Sequence, residues 1–420
     1  MKLVLISLDA VWGEDWERLR ELPHIGPLLQ SGLRCRRVQA VYPTLTYPVH
    51  VSMVTGCSPR LHGISHNQPF DPARTGGLAP GFAARLQKAG LAADDYRPWH
   101  WDHRDIKVPT LFDLCAQAGK KTCAILWPVT GKHRGIRWNF PEVLAMPWES
   151  QVLKMLRYGS APWILAMEMR YGRQRQSTQE PDLSDYAAIL AAAMASRRRS
   201  HDLMAVHLAD CDAMRHRWGA HSPQAEEALI RLDRRVGRIQ AALKAGGHED
   251  DTAICLVSDH GQEDVDQPVA LGRALQEKGF HVQAQSLGRG AYLHAAPEFE
   301  GEMPALRAYL EENREALGVG AVYGPQELAA LGGPREVSLA VDGGPGVVFA
   351  DGLAEGKREK ATHGFGTDHP AAQCLLSLTG PGIPAAELPR LSVQDIAPLA
   401  AHVLGIPWPA GRGNDPLKMI

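Results

Sequence analysis

This 420-residue chain has few aromatic side chains, which make up 6% of its residues. It also lacks long apolar runs and a large net charge of either sign. Lys+Arg 45 against Asp+Glu 47 leaves a formal net charge of −2, so no global field attracts nucleic acid or anionic lipid. No apolar run approaches the roughly 18 residues expected of a membrane span. We therefore expect neither a nucleic-acid nor a membrane partner, and the sequence carries no signal for an oligomeric state.

Cysteine patterns of metal ribbons or disulfide frameworks are also missing. The seven cysteines are scattered and odd in number, which favours reduced, structural thiols. The opening "MKLVLISLDA" reaches an aspartate at residue 9, whereas a signal peptide needs roughly 7–15 apolar residues before a cleavage site. The opening stretch therefore predicts a buried strand, and we expect a cytoplasmic protein.

What the chain does contain is the composition of a soluble globular protein, with 45% hydrophobic and 22% charged residues. Short apolar runs predict five buried strands, at 3–8, 122–127, 203–209, 252–258 and 374–379. Helical patterns lie between them, at 24–32, 108–120, 184–200 and 222–246. The alternation predicts a doubly wound α/β fold, with a largely parallel sheet and helices on both faces.

Two regions interrupt this alternation. Residues 130–183 carry few strand signals and predict an irregular, partly helical insertion. Residues 268–352 have their own order of helices and strands and predict a small α+β inserted subdomain. The expected core therefore comprises 1–267 and 353–420.

Carboxylates and imidazoles lie just after the predicted strands 3–8, 203–209 and 252–258 and shortly before the predicted strand 374–379. They are, in chain order, Asp9, Asp212, His216, Asp259, His260 and His363. Each aspartate alone is most often a helix cap. Capping does not explain why four distant segments bring such residues to one sheet edge, which is where ligands bind in this fold class.

The residue types point to a metal centre. Aspartate oxygen and imidazole nitrogen suit zinc, or manganese and iron with lower preference. The ligands are too many for one open catalytic zinc and fit two ions, an arrangement suited to phosphoryl transfer. In "YPTLTYPVH" (42–50), a threonine hydroxyl bound to one ion would be deprotonated and act as a nucleophile.

Several segments together resemble the nucleotide pyrophosphatase/phosphodiesterase family of the alkaline phosphatase superfamily. "YPTLTYPVHVSMVTGCSPRLHGISHN" (42–67) is similar to its nucleophile segment, and the match extends to "LDA" (8–10), "DAMRH" (212–216), "SDHGQ" (258–262), "THGFG" (362–366) and "QDIAPLAAHVLGI" (394–406). The resemblance implies an alkaline-phosphatase-like fold and a metal-dependent hydrolase. It also implies that phosphodiester or pyrophosphate bonds of a small-molecule phosphate ester or nucleotide are cleaved.

Site roles follow from the resemblance, position by position. Thr46 is implied as the nucleophile, Asn67 as a ligand of a phosphate oxygen, and Tyr47 as a contact of the substrate's leaving side. Two divalent ions are implied, most simply Zn²⁺, with Mn²⁺ as the second choice. The implied ligands are Asp9, Thr46, Asp259 and His260 for one ion and Asp212, His216 and His363 for the other. Thr44 matches a position without a catalytic role.

Departures from the family pattern leave the substrate open. Val49 replaces an asparagine common after Thr-Phe-Pro, and Gln262 replaces a frequent methionine. A phosphonate hydrolase, resembling phosphonoacetate-cleaving relatives, and a phosphomonoesterase stay as alternatives, ahead of a non-catalytic metal-binding protein. Segments 97–105 and 127–140 bring Trp, His, Arg and Lys near the expected cleft. They either recognise an anionic or planar group of the substrate or are exposed loops that cover an apolar edge.

Two further classes fit less well. "CSPR" (57–60) resembles a sulfatase motif but lacks the serine before arginine and lies downstream of the nucleophile position. Relatives of the phosphoglycerate-mutase type use serine as the nucleophile, which Thr46 argues against. We therefore expect a threonine-dependent phosphodiesterase.

Overall fold

The computed structural model describes residues 1–70, 99–146, 148–197, 201–350 and 359–420. The strands of this part of the chain are β1 (Lys2–Leu8), β2 (Leu33–Gln39), β3 (Thr122–Ile125), β4 (Trp138–Phe140), β5 (Leu203–Leu208), β6 (Thr252–Ser258), β7 (Glu263–Asp264), β8 (Gln267–Val269), β9 (Val282–Ser286), β10 (Gly290–Ala295), β11 (Val319–Tyr323), β12 (Leu339–Gly343), β13 (Val347–Phe349), β14 (Ala361–Thr362), β15 (Gln373–Thr379), β16 (Ala386–Glu387) and β17 (Leu391–Ser392).

The α-helices of the same residues are α1 (Trp16–Arg20), α2 (Ile25–Gln30), α3 (Thr46–Thr55), α4 (Pro59–His62), α5 (Leu111–Gln117), α6 (Gln151–Tyr158), α7 (Ala161–Tyr171), α8 (Asp182–Ala195), α9 (Asp210–Trp218), α10 (Pro223–Ala245), α11 (Leu271–Glu277), α12 (Met303–Glu312), α13 (Arg314–Leu317), α14 (Pro325–Ala330) and α15 (Ile396–Leu404). No helix in these ranges is both long and apolar enough to cross a membrane.

The central sheet has the order β16-β2-β15-β6-β1-β5-β3-β4, with β17 also pairing with β2. Strand β1 is parallel to β5 and β6, and β3 is parallel to β4 and β5. Only β15 among the long strands runs antiparallel to its neighbours, β2 and β6. The predicted, largely parallel sheet is therefore confirmed.

Strand β1 shows why helices cover both faces. Its side chains alternate, so Val4, Ile6 and Leu8 join the core on one face while Leu3 and Leu5 join the core on the other. Helices α1, α2, α7, α8 and α10 pack on the first face, and α3, α5 and α15 pack on the second. Every residue of β1 from Leu3 onward is buried, which explains its unbroken apolar run.

Four strands of the central sheet were not predicted from the sequence: β2, β4 and the two-residue strands β16 and β17. Strand β2 alternates between buried Leu33, Cys35 and Val38 and exposed arginines, so it lacks the apolar run of a fully buried strand. Strand β4 has three residues and lies in the predicted insertion 130–183, where α6 and α7 follow it. That insertion is thus partly helical and also extends one sheet edge.

A second, four-stranded antiparallel sheet has the order β11-β12-β10-β9. Its own apolar core joins strands and helices α11 and α12, for example through Leu275, Leu293, Leu306 and Val341. This is the predicted α+β insertion. The domain limits stay a prediction, because the boundary between 352 and 353 lies outside the described residues.

Candidate active site

Neighbouring parallel strands deliver the first polar residues to one edge. Asp9 follows β1, and Asp259 and His260 follow β6, which lies beside it. All three are buried, with 2% or less of their surface exposed. The carboxyl ends of parallel strands meet at one edge of the sheet, and this is where the sequence placed them.

Thr46 is the first residue of helix α3, whose ten residues are all buried. Leu45 before it is extended, Pro48 lies in the first turn where a missing N–H costs no helical hydrogen bond, and Gly56 ends the helix at φ 64°. The Thr46 Oγ1 lies 3.3 Å from the Nε2 of His260. The hydroxyl is therefore fixed beside the strand-end residues, at the electropositive end of a helix.

Asn67 lines the same cavity as Thr46. Its Oδ1 accepts a hydrogen bond from the backbone N–H of Tyr47 at 2.9 Å. Because that oxygen is occupied, the amide Nδ2 is the end left to donate to a ligand.

We call Asp9, Asp259 and His260 the closed group, since their ligand atoms lie within 4.8 Å of one another at buried positions. Asp9 Oδ1 and Asp259 Oδ2 are buried without a hydrogen-bond partner, and they lie 3.6 and 3.4 Å from His260 Nε2. Unpaired carboxylate oxygens are costly in a protein interior. A cation at this position would compensate them, so the donor set fits a metal ion.

The charge states agree with this fit. Burial, reinforced by the carboxylate of Asp212, raises the pKa of Asp9 to about 6. Burial and Asp9 together raise the pKa of Asp259 well above its usual range, because the two carboxylates repel each other. Burial lowers the pKa of His260, which keeps its imidazole neutral and able to bind a metal.

We call Asp212, His216 and His363 the open group, because all three line the cavity. Asp212 and His216 are four residues apart on α9, and His216 Nε2 lies 3.3 Å from Asp212 Oδ1. His363 Nε2 lies 3.8 Å from the same oxygen. The Nδ1–H of His216 donates to Ala361 O at 2.9 Å, and that of His363 donates to Thr44 O at 3.0 Å. Each ring thus presents Nε2 to a ligand.

Strand direction explains the position of His363. Because β15 is antiparallel to β6, its amino-terminal end lies at the edge where the parallel strands have their carboxyl ends. The segment that precedes β15 therefore reaches the site. His363 stacks on His260 at 3.9 Å, and the ligand atoms of Asp212, His260 and His363 also lie within 4.8 Å of one another. His260 thus lies between the two groups.

The sequence analysis assigned no role at this site to three side chains that the structure places there. His207, in the middle of the apolar run of β5, has its Nε2 2.8 Å from Asp9 Oδ2. His50, in the buried helix α3, has its Nδ1 2.8 Å from Thr46 O and 3.5 Å from Asp259 Oδ2. Gln262 donates from Nε2 to Asp212 Oδ1 at 2.5 Å. The first two look like core positions in the sequence, so only the fold places them beside the ligands.

The surroundings of His207 favour its charged form. Burial alone would lower its pKa, but the carboxylates of Asp9 and Glu142 outweigh burial and raise the pKa well above the usual range. Glu142 comes from the segment after β4, and its Oε2 lies 3.5 Å from His207 Nδ1. A protonated ring at this position would offset part of the negative charge of the closed group.

A cavity of about 660 Å³ opens onto Thr46 and the open group. Several other segments line it. The segment after α4 contributes His66 to Gln68, and β9 with the turn after it contributes Ser286 to Gly288. Strand β13, which pairs with β8, contributes Val348 and Phe349 followed by Ala350, and Trp99 contributes an aromatic side chain. Lys360 is the single lysine or arginine among the described residues that line it.

Tyr47 lies outside this lining. Its side chain is fully buried, and its ring packs edge-to-face on Trp99 with 5.2 Å between centroids. The predicted substrate contact of Tyr47 stays a prediction, and Trp99 is an aromatic residue on the cavity wall.

Of the two segments rich in basic and aromatic residues, 97–105 reaches the cavity through Trp99, and residues 97–98 lie outside the described residues. No residue of 127–140 is among the described lining residues.

The chain matches the family described as "Type I phosphodiesterase / nucleotide pyrophosphatase" over residues 3–365. This match covers most of the chain, so the chain belongs to that family. The family predicted from the motifs is therefore confirmed.

Among curated relatives, the chain is 23% identical over 271 residues to "Venom phosphodiesterase 2" of Crotalus adamanteus, covering 63% of the chain and 27% of the relative. It is 26% identical over 268 residues to "Ectonucleotide pyrophosphatase/phosphodiesterase family member 1" of Homo sapiens, covering 62% of the chain and 23% of the relative. The matched segment thus spans about a quarter of the length of these relatives.

Solved structures give the same fold. Murine ectonucleotide pyrophosphatase/phosphodiesterase 5 superposes with a TM-score of 0.70 at 16% identity, covering 99% of this chain and 98% of the other. An inactive variant of that murine protein, in complex with AMP, superposes with a TM-score of 0.68 at 17% identity, covering 99% and 97%. The alkaline-phosphatase-like fold is thereby confirmed.

Proposed function

We propose that this protein is a metal-dependent phosphodiesterase or nucleotide pyrophosphatase with Thr46 as its nucleophile. The observation that carries the proposal is the position of the Thr46 hydroxyl. It lies at a helix amino terminus, 3.3 Å from His260, whose ligand atom clusters both with those of Asp9 and Asp259 and with those of Asp212 and His363. A threonine with a purely structural role would not need carboxylates and imidazoles of this kind around its hydroxyl.

The two groups suit two divalent ions, with zinc as the first choice and manganese as the second. We assign Asp9, Thr46, Asp259 and His260 to one ion and Asp212, His216 and His363 to the other. When bound, the ions would supply Lewis acidity to the phosphate and to the nucleophilic hydroxyl. The unpaired Asp9 Oδ1 and Asp259 Oδ2 support this assignment.

The protein's own side chains divide the remaining work. Thr46 Oγ1 attacks phosphorus, and the leaving oxygen departs on the opposite side with its electron pair. Water then cleaves the phosphothreonine and regenerates the hydroxyl. Asn67 Nδ2 and the backbone N–H of Thr46, the first residue of α3, donate hydrogen bonds to the phosphate oxygens, where negative charge develops.

We further propose a nucleotide or another small phosphate ester as the substrate. The murine relative in complex with AMP is consistent with a nucleotide. The apolar wall around Leu287 and Phe349, with Trp99, offers a surface for an organic group. A leaving-group contact by Tyr47 is kept as part of this proposal. A cytoplasmic location and the lack of nucleic-acid and membrane partners stay predictions.

Hydrolysis of matched esters tests the proposal. A monoester carries an extra negative charge, which usually calls for an added cationic group, and the nucleophile segment supplies only the amide of Asn67. We expect bis(4-nitrophenyl) phosphate or a nucleotide diester to have a higher kcat/KM than 4-nitrophenyl phosphate.

A tenfold preference for the monoester, about 1.4 kcal/mol in the transition state, would contradict the diesterase assignment. It would point to Lys360, the single cationic side chain among the described lining residues, as the group that stabilises the extra charge. A phosphonoacetate-type substrate in the same assay tests the carbon–phosphorus alternative.

A further inference from the structure

His207 occupies an unusual place for a histidine. It lies in β5, between β1 and β3 in the central sheet, and all six residues of that strand are buried. A ring that loses its hydration in such a position needs partners for both nitrogens. His207 has them, and one of them is a residue of the closed group.

The ring is held from both sides. Its Nδ1–H donates to Leu126 O at 3.2 Å, because a carbonyl oxygen only accepts. Leu126 follows β3, has φ 53°, and donates its own N–H to Phe140 O of β4 at 2.7 Å. On the other side Nε2 lies 2.8 Å from Asp9 Oδ2 and donates to it.

The two carboxylates of the closed group are oriented in different ways. Asp259 Oδ1 accepts from the backbone N–H groups of Ala10 and His260, at 3.1 and 2.9 Å, and Oδ2 has no partner. Asp9 Oδ2 accepts from His207, and its Oδ1 has no partner. In each carboxylate, one oxygen thus accepts hydrogen bonds from the protein and the other has no hydrogen-bond partner. Only the support of Asp9 comes from a side chain that a substitution can remove.

We infer that His207 is a positioning residue for metal binding: its Nε2–H fixes the Asp9 carboxylate so that Oδ1 faces His260 and the ion. This inference rests on the proposed assignment of Asp9 as a ligand. An aspartate freed from this hydrogen bond turns about its side-chain bonds and offers Oδ1 in the right direction for only part of the time. Loss of such a supporting contact typically weakens metal affinity by about 10–100-fold.

The test is a titration of the metal-free protein with Zn²⁺ in competition with a chromophoric chelator. We expect His207→Leu to bind one of two ions about 10–100-fold more weakly than wild type. His207→Gln, whose amide reaches the position of Nε2, should recover most of the affinity, whereas His207→Asn, whose amide reaches only toward Leu126, should not. Excess Zn²⁺ should restore kcat in the Leu variant without changing KM.

Two further variants separate the causes. His201→Leu removes another buried histidine just before β5, at the opposite sheet edge, and should leave both metal affinities at the wild-type level. Asp9→Asn tests the assignment itself. If that variant binds both ions like wild type, Asp9 is not a ligand and the proposed metal site is wrong.

If Asp9→Asn loses an ion while His207→Leu keeps both affinities, the positioning role is refuted and the proposed function stands. Circular dichroism and thermal melting establish folding for every variant. If the Leu variant does not fold, the Gln and Asn variants decide: equal affinities in these two overturn the inference, and retention in Gln alone supports it.

Discussion

The closed and open groups lie side by side but differ in exposure. The side chains of Asp9, Asp259 and His260 are at most 3% exposed, whereas those of Asp212 and His216 are 20% and 21% exposed. The closed group follows two adjacent parallel strands, and the open group comes from a helix and from the segment before β15. The side of the site that holds Thr46 is thus part of the core, whereas Asp212 and His216 on the other side are partly exposed to solvent.

The supporting contacts differ in the same way. Asp259 is held by backbone N–H groups, and Asp9 by a histidine in the sheet. In the open group, His216 and His363 donate hydrogen bonds to backbone carbonyls, while Asp212 accepts a hydrogen bond from the side chain of Gln262. We therefore expect the two sides to respond differently to substitution and to chelators.

The largest effect is expected at the border of the closed group. Thr46→Ala removes the proposed nucleophile and should lower kcat by at least about 10³-fold without loss of the fold, as measured by steady-state kinetics and thermal melting. Turnover equal to that of wild type would rule out the nucleophile assignment.

Thr44→Ala is the matched control for Thr46→Ala. The Thr44 hydroxyl donates to Phe365 O at 3.0 Å in a buried position, so its loss should cost about 1 kcal/mol of unfolding free energy. The backbone carbonyl that holds His363 is kept, and activity should change little.

Metal removal should distinguish the two groups directly. Elemental analysis should find close to two divalent ions per chain, and a chelator should remove them in two phases, the open-group ion first, since Asp212 and His216 are partly exposed. Activity should fall as the ions leave. A metal-free protein whose activity ignores the chelator would defeat the two-metal proposal, and release in a single phase would remove the distinction between the groups.

Sequence reading succeeded where a polar residue ends an apolar run. Asp9, Asp259 and His260 were located in this way, because the apolar run of a fully buried strand stops where the strand ends. It could not give the direction of β15, since a strand buried on both faces has the same pattern either way round. Nor could it separate His207 from a core histidine, because the contact with Asp9 joins positions 198 residues apart.

The sequence also could not show which aromatic side chain lines the cavity. Tyr47 is adjacent to Thr46 in the chain, but it belongs to a helix buried on all sides, so its ring packs inward. Trp99 reaches the cavity from a distant segment. Adjacency in sequence therefore identified the nucleophile's neighbour without fixing which aromatic side chain lines the cavity.

A smaller effect is expected at the support of the open group. Gln262→Met introduces the methionine frequent in the family and removes the hydrogen bond to Asp212 Oδ1. We expect the affinity of the faster-released ion to fall about tenfold, while the slower ion is unaffected. A Zn²⁺ titration measures both, and weakening of the slower ion instead would show that the groups are not independent.

The smallest effect is expected at the cavity rim. Lys360 is exposed, and Lys360→Met should raise KM about threefold for a nucleoside triphosphate, whose leaving group is anionic, and leave bis(4-nitrophenyl) phosphate unchanged. Lys244→Met, at an exposed site on α10, is the matched control and should change neither value. An equal rise for both substrates would exclude a charge-selective role of Lys360.

The cavity walls contributed by Ser286 to Gly288 and Val348 to Ala350 have an evolutionary consequence. None of the proposed ligands lies in these segments, which come from β9 and the turn after it and from β13. Substitutions in these segments would therefore change the shape of the cavity without replacing a proposed ligand. The shape of the cavity and the proposed ligand set thus depend on different stretches of the chain and are open to selection separately.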